Sequence, residues 1–170
     1  GSATPLRGGK GSTWEGGVRV PTLAWWPGKI AAKSTCDAVA GTIDLLPTCA
    51  SISGANLAPN AVIDGRDITG LLFGQTQQSP REAHYYFSGY TLQAVRQGPW
   101  KLALAPQPEP HLGSEFRKDA QSSPRLYNLD NDIGETSNLA EKHPEVVAKL
   151  KSLAEAMALE IGGNKPKPRR

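Results

Sequence analysis

Between Arg7 and Pro21 the chain reads Arg7-Gly8-Gly9-Lys10-Gly11-Ser12-Thr13-Trp14-Glu15-Gly16-Gly17-Val18-Arg19-Val20-Pro21, and the rest of the sequence is organised around this stretch. Five glycines, two arginines and one lysine crowd into a turn-rich loop that runs straight into the apolar segment Thr22-Leu23-Ala24-Trp25-Trp26. Glycine admits positive φ and close backbone approach, and a lysine in such a loop is a point charge to set against an anion. Composition alone leaves Lys10 either an anion-binding group or a solvent-facing cation. Two nucleotide motifs are excluded. A P-loop needs Ser or Thr directly after Gly-Lys, where Gly11 stands, and a dinucleotide fingerprint needs a third glycine where Trp14 stands.

The remaining pattern is mixed α/β. Residues 22–26 predict a short strand ended by Pro27-Gly28. Residues 41–53 predict a helix with Thr42 at its N-cap, Ile43, Leu46 and Ala50 on one face, and Gly54 closing it. Pro47 must either begin the main helical turn or kink it. Asp64-Gly65-Arg66-Asp67 is a turn, and 68–73 one or two helical turns. From His84 onward four strands are expected, at 84–87, 92–97, 100–104 and 126–129, with Gln97-Gly98-Pro99 as a hairpin turn. Residues 105–123 form a Pro-, Gly- and Ser-rich connection of the length that is usually functional or disordered. Pro144 opens a last helix whose stripe of Val146, Leu150, Leu153, Met157 and Ile161 should pack on one face of the four-stranded sheet, with Gly162 at its end. Met157 is on that stripe and reads as core.

Charge says little about partners. The net +3 includes four cations at the extreme tail, Lys165, Lys167, Arg169 and Arg170, without which the body is at −1. Residues 163–170 read as a solvated, disordered basic tail, not as a nucleic-acid site, because no basic or aromatic face accompanies them. No run approaches the ~20 apolar residues that span a bilayer. Cys36 and Cys49 match no zinc spacing.

The order of motifs is more specific than any of these. The run from Pro5 to Pro21, followed by Trp26-Pro27-Gly28-Lys29-Ile30, closely resembles the segment carrying the sulfate-binding lysine of type I, formylglycine-dependent sulfatases. Asp44-Leu45-Leu46-Pro47-Thr48, Asp64-Gly65-Arg66-Asp67, Gly98-Pro99-Trp100-Lys101-Leu102 and Leu126-Tyr127-Asn128-Leu129 with Gly134-Glu135-Thr136-Ser137-Asn138-Leu139 follow in that family's order. The resemblance runs from Gly1 to about Gly162 and places the chain in the alkaline phosphatase-like superfamily.

It implies the C-terminal third of a larger enzyme, in agreement with a chain that begins at Gly1 without an initiator methionine. Residues 1–83 are then the end of the main α/β domain, including a remnant of its large mixed sheet, and 84–162 an antiparallel subdomain with its terminal helix. In that setting Leu23, Trp25 and Trp26 would stand on an orphan edge. The resemblance makes Lys10 the residue that contacts sulfate. His111, in the 105–123 loop that overhangs the cleft of related enzymes, becomes a candidate donor to a sugar hydroxyl or the leaving oxygen. Glu15 and Arg19 read as satisfying each other or buried backbone. Arg7, Arg66, Asp67, His84 and His143 read as structural, with a substrate role for Arg7 the lesser alternative.

The family's formylglycine arises in a Cys/Ser-x-Pro-x-Arg motif, which neither Cys36-Asp37-Ala38 nor Cys49-Ala50-Ser51 provides. Its calcium is held by upstream residues, and Asp64, Asp67, Asp130 and Asp132 form no array suited to a hard ion. Calcium and formylglycine are thus expected of the full-length parent, and the isolated chain is expected to be inactive. The expected partners are the missing N-terminal part and a sulfated carbohydrate or aryl sulfate ester. A phosphate or phosphonate monoester hydrolase, or a non-catalytic sulfated-glycan-binding module, are the alternatives. Export to the periplasm or outside the cell would suit the family and leaves a Cys36–Cys49 disulfide open, although two unpaired, partly buried thiols are the simpler expectation.

Overall fold

The computed structural model describes residues 3–107 and 124–162. Along the chain these form α1 (Glu15–Val18), a 3-10 turn (Thr42–Asp44), α2 (Leu45–Ser53), α3 (Thr69–Leu72), β1 (His84–Ser88), β2 (Thr91–Gln97), β3 (Trp100–Ala103), β4 (Arg125–Asn128) and α4 (Pro144–Glu160). They fall into two compact units, one of residues 21–82 and one joining the first twenty residues to everything from Ala83 onward. The glycine loop therefore packs with the C-terminal sheet, a grouping that the sequence division at residue 83 does not follow.

In the second of these units the strands form an antiparallel meander in the order β1-β2-β3-β4. All four expected strands are present, with bounds shifted by a residue or so. Alternation along each strand sorts side chains to two faces. The rung Tyr85–Val95–Leu102–Leu126 faces α4, where Leu150 and Ala154 are buried and Val146, Leu153 and Met157 pack around them. Ile161 departs from the expected stripe: it follows the last helical residue and is exposed. The other face carries the rungs His84–Arg96–Lys101–Tyr127 and Tyr86–Ala94–Ala103–Arg125. Its charged and aromatic side chains mark it as a face that meets something polar, and the glycine loop covers it.

The unit of residues 21–82 is held by a knot of hydrogen bonds. Asp44, 1% exposed, accepts from Gly41 N and Arg66 N at 2.7 Å each and from the Arg81 guanidinium. Thr48 Oγ1 donates to Asp44 O at 2.6 Å and accepts from Ile68 N at 3.0 Å. Asp44-Leu45-Leu46-Pro47-Thr48 and Asp64-Gly65-Arg66-Asp67, far apart in sequence, thus make one structural feature. Pro47 sits in the first turn of α2, where its missing N–H costs nothing. Gly41, not Thr42, caps the preceding turn, with Asp44 reaching back to it.

Two expectations fail in this unit. Residues 22–26 form no strand, since among the described residues no ladder partner adjoins them. A lone extended segment gains no ladder hydrogen bonds. Leu23 is 98% and Trp25 87% exposed, as an orphan edge implies. The face of Ile43 and Leu46 is likewise exposed, with only Ala50 buried. Cys36 and Cys49 are free and exposed, not partly buried.

Candidate functional site

The glycine loop is rooted by Trp14, which is fully buried. The Arg7 guanidinium lies 3.8 Å from the centre of its ring, Arg125 approaches at 4.8 Å, and Tyr127 packs at 5.8 Å. Cation–π and aromatic contacts of this kind are stronger when desolvated. Immediately after Trp14, α1 turns the chain so that Gly16 N donates to Arg7 O at 2.8 Å. Residues 7–12 are thereby laid directly against the helix. A Cβ on Gly17 would collide with the Ser12 carbonyl, so only glycine permits this approach. At the far end Ser12 folds back, its N and Oγ both donating to Gly9 O at 3.1 and 2.9 Å, with Gly11 at φ 93°. Lys10 occupies the tip and is exposed, while Ser12, Thr13, Trp14 and Glu15 beneath it are buried.

The loop is fastened to the sheet through charge. Glu15, 1% exposed, accepts at Oε1 from Lys101 Nζ and from the Tyr86 hydroxyl, both at 2.9 Å, and at Oε2 from Arg19 Nε at 2.5 Å, with Arg96 Nη1 3.5 Å away. Lys101 Nζ, itself wholly buried, also donates to Thr13 O at 2.8 Å and stands 2.8 Å from Glu135 Oε1. Glu135 completes the ring: its Oε2 accepts from Glu15 N at 2.8 Å, and its backbone carbonyl accepts from Arg7 Nη1 at 2.6 Å.

Two carboxylates thus share one ammonium, and their acidities move in opposite directions. Burial raises the Glu15 carboxyl, but the attraction and hydrogen bond of Lys101, together with those of Arg19, outweigh it and bring the group down to about 2. At Glu135 burial is the larger effect, and the carboxyl stays above its ordinary value despite Lys101. The Tyr86 phenol is pushed up by burial and then by the Glu15 charge, which fixes it as a donor.

Chemically, the arrangement is one exposed cation on a stalk whose root cannot move cheaply. Such a group can neutralise charge on a bound anion; it supplies no nucleophile. Among the described residues no group of three His, Cys, Asp or Glu could hold a metal ion. The acidic turns serve the backbone instead, Asp132 accepting from Thr136 N and Ser137 N at 2.8 and 2.9 Å and Asp67 from Thr69 N at 2.8 Å. These residues do not fit a calcium site.

Comparison with known proteins decides the family. Residues 1–55 match the sulfatase family model, and residues 79–167 match the model of the C-terminal region of aryl-sulfatase. Human arylsulfatase A is 41% identical over 167 residues, covering 87% of this chain and 32% of that protein. The chain belongs to the sulfatase family.

Mouse steryl-sulfatase is 34% identical over 92% of this sulfatase chain and 28% of its own length. Among solved structures, a Bacteroides thetaiotaomicron sulfatase described in connection with glycosaminoglycan metabolism aligns at a TM-score of 0.73 with 30% identity, over 89% of this chain and 31% of that one. The PsFucS1 sulfatase from Pseudoalteromonas sp. aligns at 0.77 with 25% identity, over 97% and 34%. The chain spans about a third of the length of the curated relatives it matches.

Within the sulfatase chain the expected site residues fare differently. Lys10 stands exposed at the loop tip. His111 lies outside the described residues. Arg19 pairs with Glu15, and Arg7 is spent on Trp14 and the Glu135 carbonyl. His84 stacks edge-on to Tyr86 and His143 packs on Trp100. Sequence reasoning missed Lys101, Glu135 and Tyr86. The available signal was Lys101 itself, a lysine held between Trp100 and Leu102 in an otherwise apolar strand, but nothing tied it to a glutamate 86 positions away.

Proposed function

We propose that this chain is the C-terminal portion of a sulfatase that hydrolyses sulfate esters, and that Lys10 is its sulfate-binding cation. The observation that carries the reading is the exposed lysine on a loop fixed from below by Trp14 and the Lys101–Glu15–Glu135 ring. A sulfate ester keeps its dispersed negative charge through the transition state, and a preorganised cation stabilises it without paying reorganisation at the moment of reaction.

Formylglycine and calcium belong to the proposal only for the full-length parent; when present they would supply the nucleophile and further charge neutralisation, and neither is drawn from the residues described above. Lys10 binds and orients the anion. The long 105–123 segment bearing His111 is proposed as the contact to the alcohol side of the ester, for which sulfated carbohydrate and aryl sulfate are the candidate classes. An assay of the full-length protein against sulfated sugars, an aryl sulfate and the matching phosphate monoesters tests this. Turnover of a sulfate ester supports the reading. Turnover of phosphate esters alone, or glycan binding without hydrolysis, overturns it.

A further inference from the structure

We infer that Lys101 is a positioning residue for Lys10, acting through the Thr13 carbonyl and the Glu15 carboxylate; the inference rests on Lys10 being the sulfate-binding cation. An ammonium has three donors. Lys101 Nζ donates to Thr13 O at 2.8 Å and to Glu15 Oε1 at 2.9 Å and pairs by charge with Glu135 Oε1 at 2.8 Å, in a site with no solvent exposure. Two of these partners flank Trp14 in the loop's own root, and the third belongs to the turn that also holds Glu15 N and the Arg7 side chain. One strand residue therefore fixes both ends of the loop, Arg7 through Glu135 and Thr13 directly.

The path from that anchor to the tip has little slack. Thr13 is three residues from Lys10. The intervening turn is closed by two Ser12 donors on Gly9 O and pressed onto α1, where Gly17 leaves no room for any side chain. A shift at Thr13 must be passed on to the tip, because the carbonyls of Arg7, Gly8, Gly9 and Ser12 already lie close against Gly16 and Gly17 of the helix. Displacement of a reacting group by ~1 Å can cost on the order of 100-fold in rate. Lys101 never touches the ester, so its contribution should be visible only while Lys10 is present.

The alternative is that Lys101 serves stability alone, and a double-mutant cycle on the full-length enzyme separates the two. Lys101→Met, Lys10→Ala and the double variant are compared for kcat and KM on a sulfate ester, with the melting temperature of each. The expected result is a fall of about 10 to 100-fold in kcat/KM for Lys101→Met and no further fall when it is added to Lys10→Ala. Should Lys101→Met not fold, Glu135→Gln, which keeps an acceptor towards Lys101, takes its place in the same cycle. A full additional loss in the Lys10→Ala background overturns the positioning role alone. An unchanged kcat/KM with a lowered melting temperature does the same. A Lys10→Ala enzyme indistinguishable from wild type overturns the sulfate-binding reading, and the positioning with it.

Discussion

The two compact units bury opposite things. The unit that joins residues 3–20 to the sheet has an apolar core on one face, Val95, Leu102, Leu126 and Leu150, and on the other face it buries charge: Glu15, Lys101, Glu135, Arg7 and Arg125. The unit of residues 21–82 buries few large apolar side chains and leaves Leu23, Trp25 and Val62 almost fully in solvent. Buried charge is expensive unless every partner is present, so the first unit has committed its groups to one arrangement. The first unit therefore buries its charge beneath the loop, whereas the second leaves large apolar side chains in solvent.

Four perturbations probe that contrast, in falling order of effect. Lys101→Met leaves two buried carboxylates facing each other without their cation, and loss of one partner from a buried pair costs about 3–5 kcal/mol; chemical denaturation followed at the Trp14 environment reads it. A loss below ~1 kcal/mol would show that the ring is not a commitment at all. Acid comes next. The Glu15 carboxyl lies at about 2 in the folded protein against 4.5 unperturbed. Its contribution is present above pH 4.5 and is lost as pH falls through the folded value, worth roughly 3 kcal/mol. Glu15→Gln should flatten the pH dependence of stability in that window. Glu135 has the opposite sign, contributing below its unfolded pKa and losing that contribution as pH rises through its raised folded value.

Gly17→Ala forces a methyl into the Ser12 carbonyl and is expected to cost about 1–3 kcal/mol as overpacking, with a larger proportional loss of turnover than of stability. Smallest is Trp25→Lys, at a position 87% exposed: stability should stay within ~0.5 kcal/mol while the tendency of the chain to aggregate falls, as light scattering would show. A large destabilisation there would break the contrast between the units.

What was legible in the sequence follows the same line. The four strands and α4 were readable because alternation and a 3.6-residue stripe are local signals, and both serve a core contained in these residues. Residues 22–26 carry an equally strong apolar signal and yet form no strand, because a strand is completed by a partner and not by its own pattern. The proposed role of Lys10 comes from the order of motifs, whereas spacing alone leaves it ambiguous. The ring beneath it was not legible: Glu15 meets Lys101 and Glu135 across 86 and 120 positions, and nothing local to either motif signals the other. The same holds for Asp44 and Arg81, 37 positions apart.

The most direct test is the turnover of a sulfate ester by the full-length enzyme carrying Lys10→Ala, measured beside its melting temperature. Because Lys10 is exposed and its loop is anchored by other residues, folding should be unchanged while kcat/KM falls by ~100-fold or more, the usual cost of removing one preorganised group from a developing charge. Wild-type turnover in a normally folded Lys10→Ala enzyme would contradict the assignment of that loop as the sulfate-binding element.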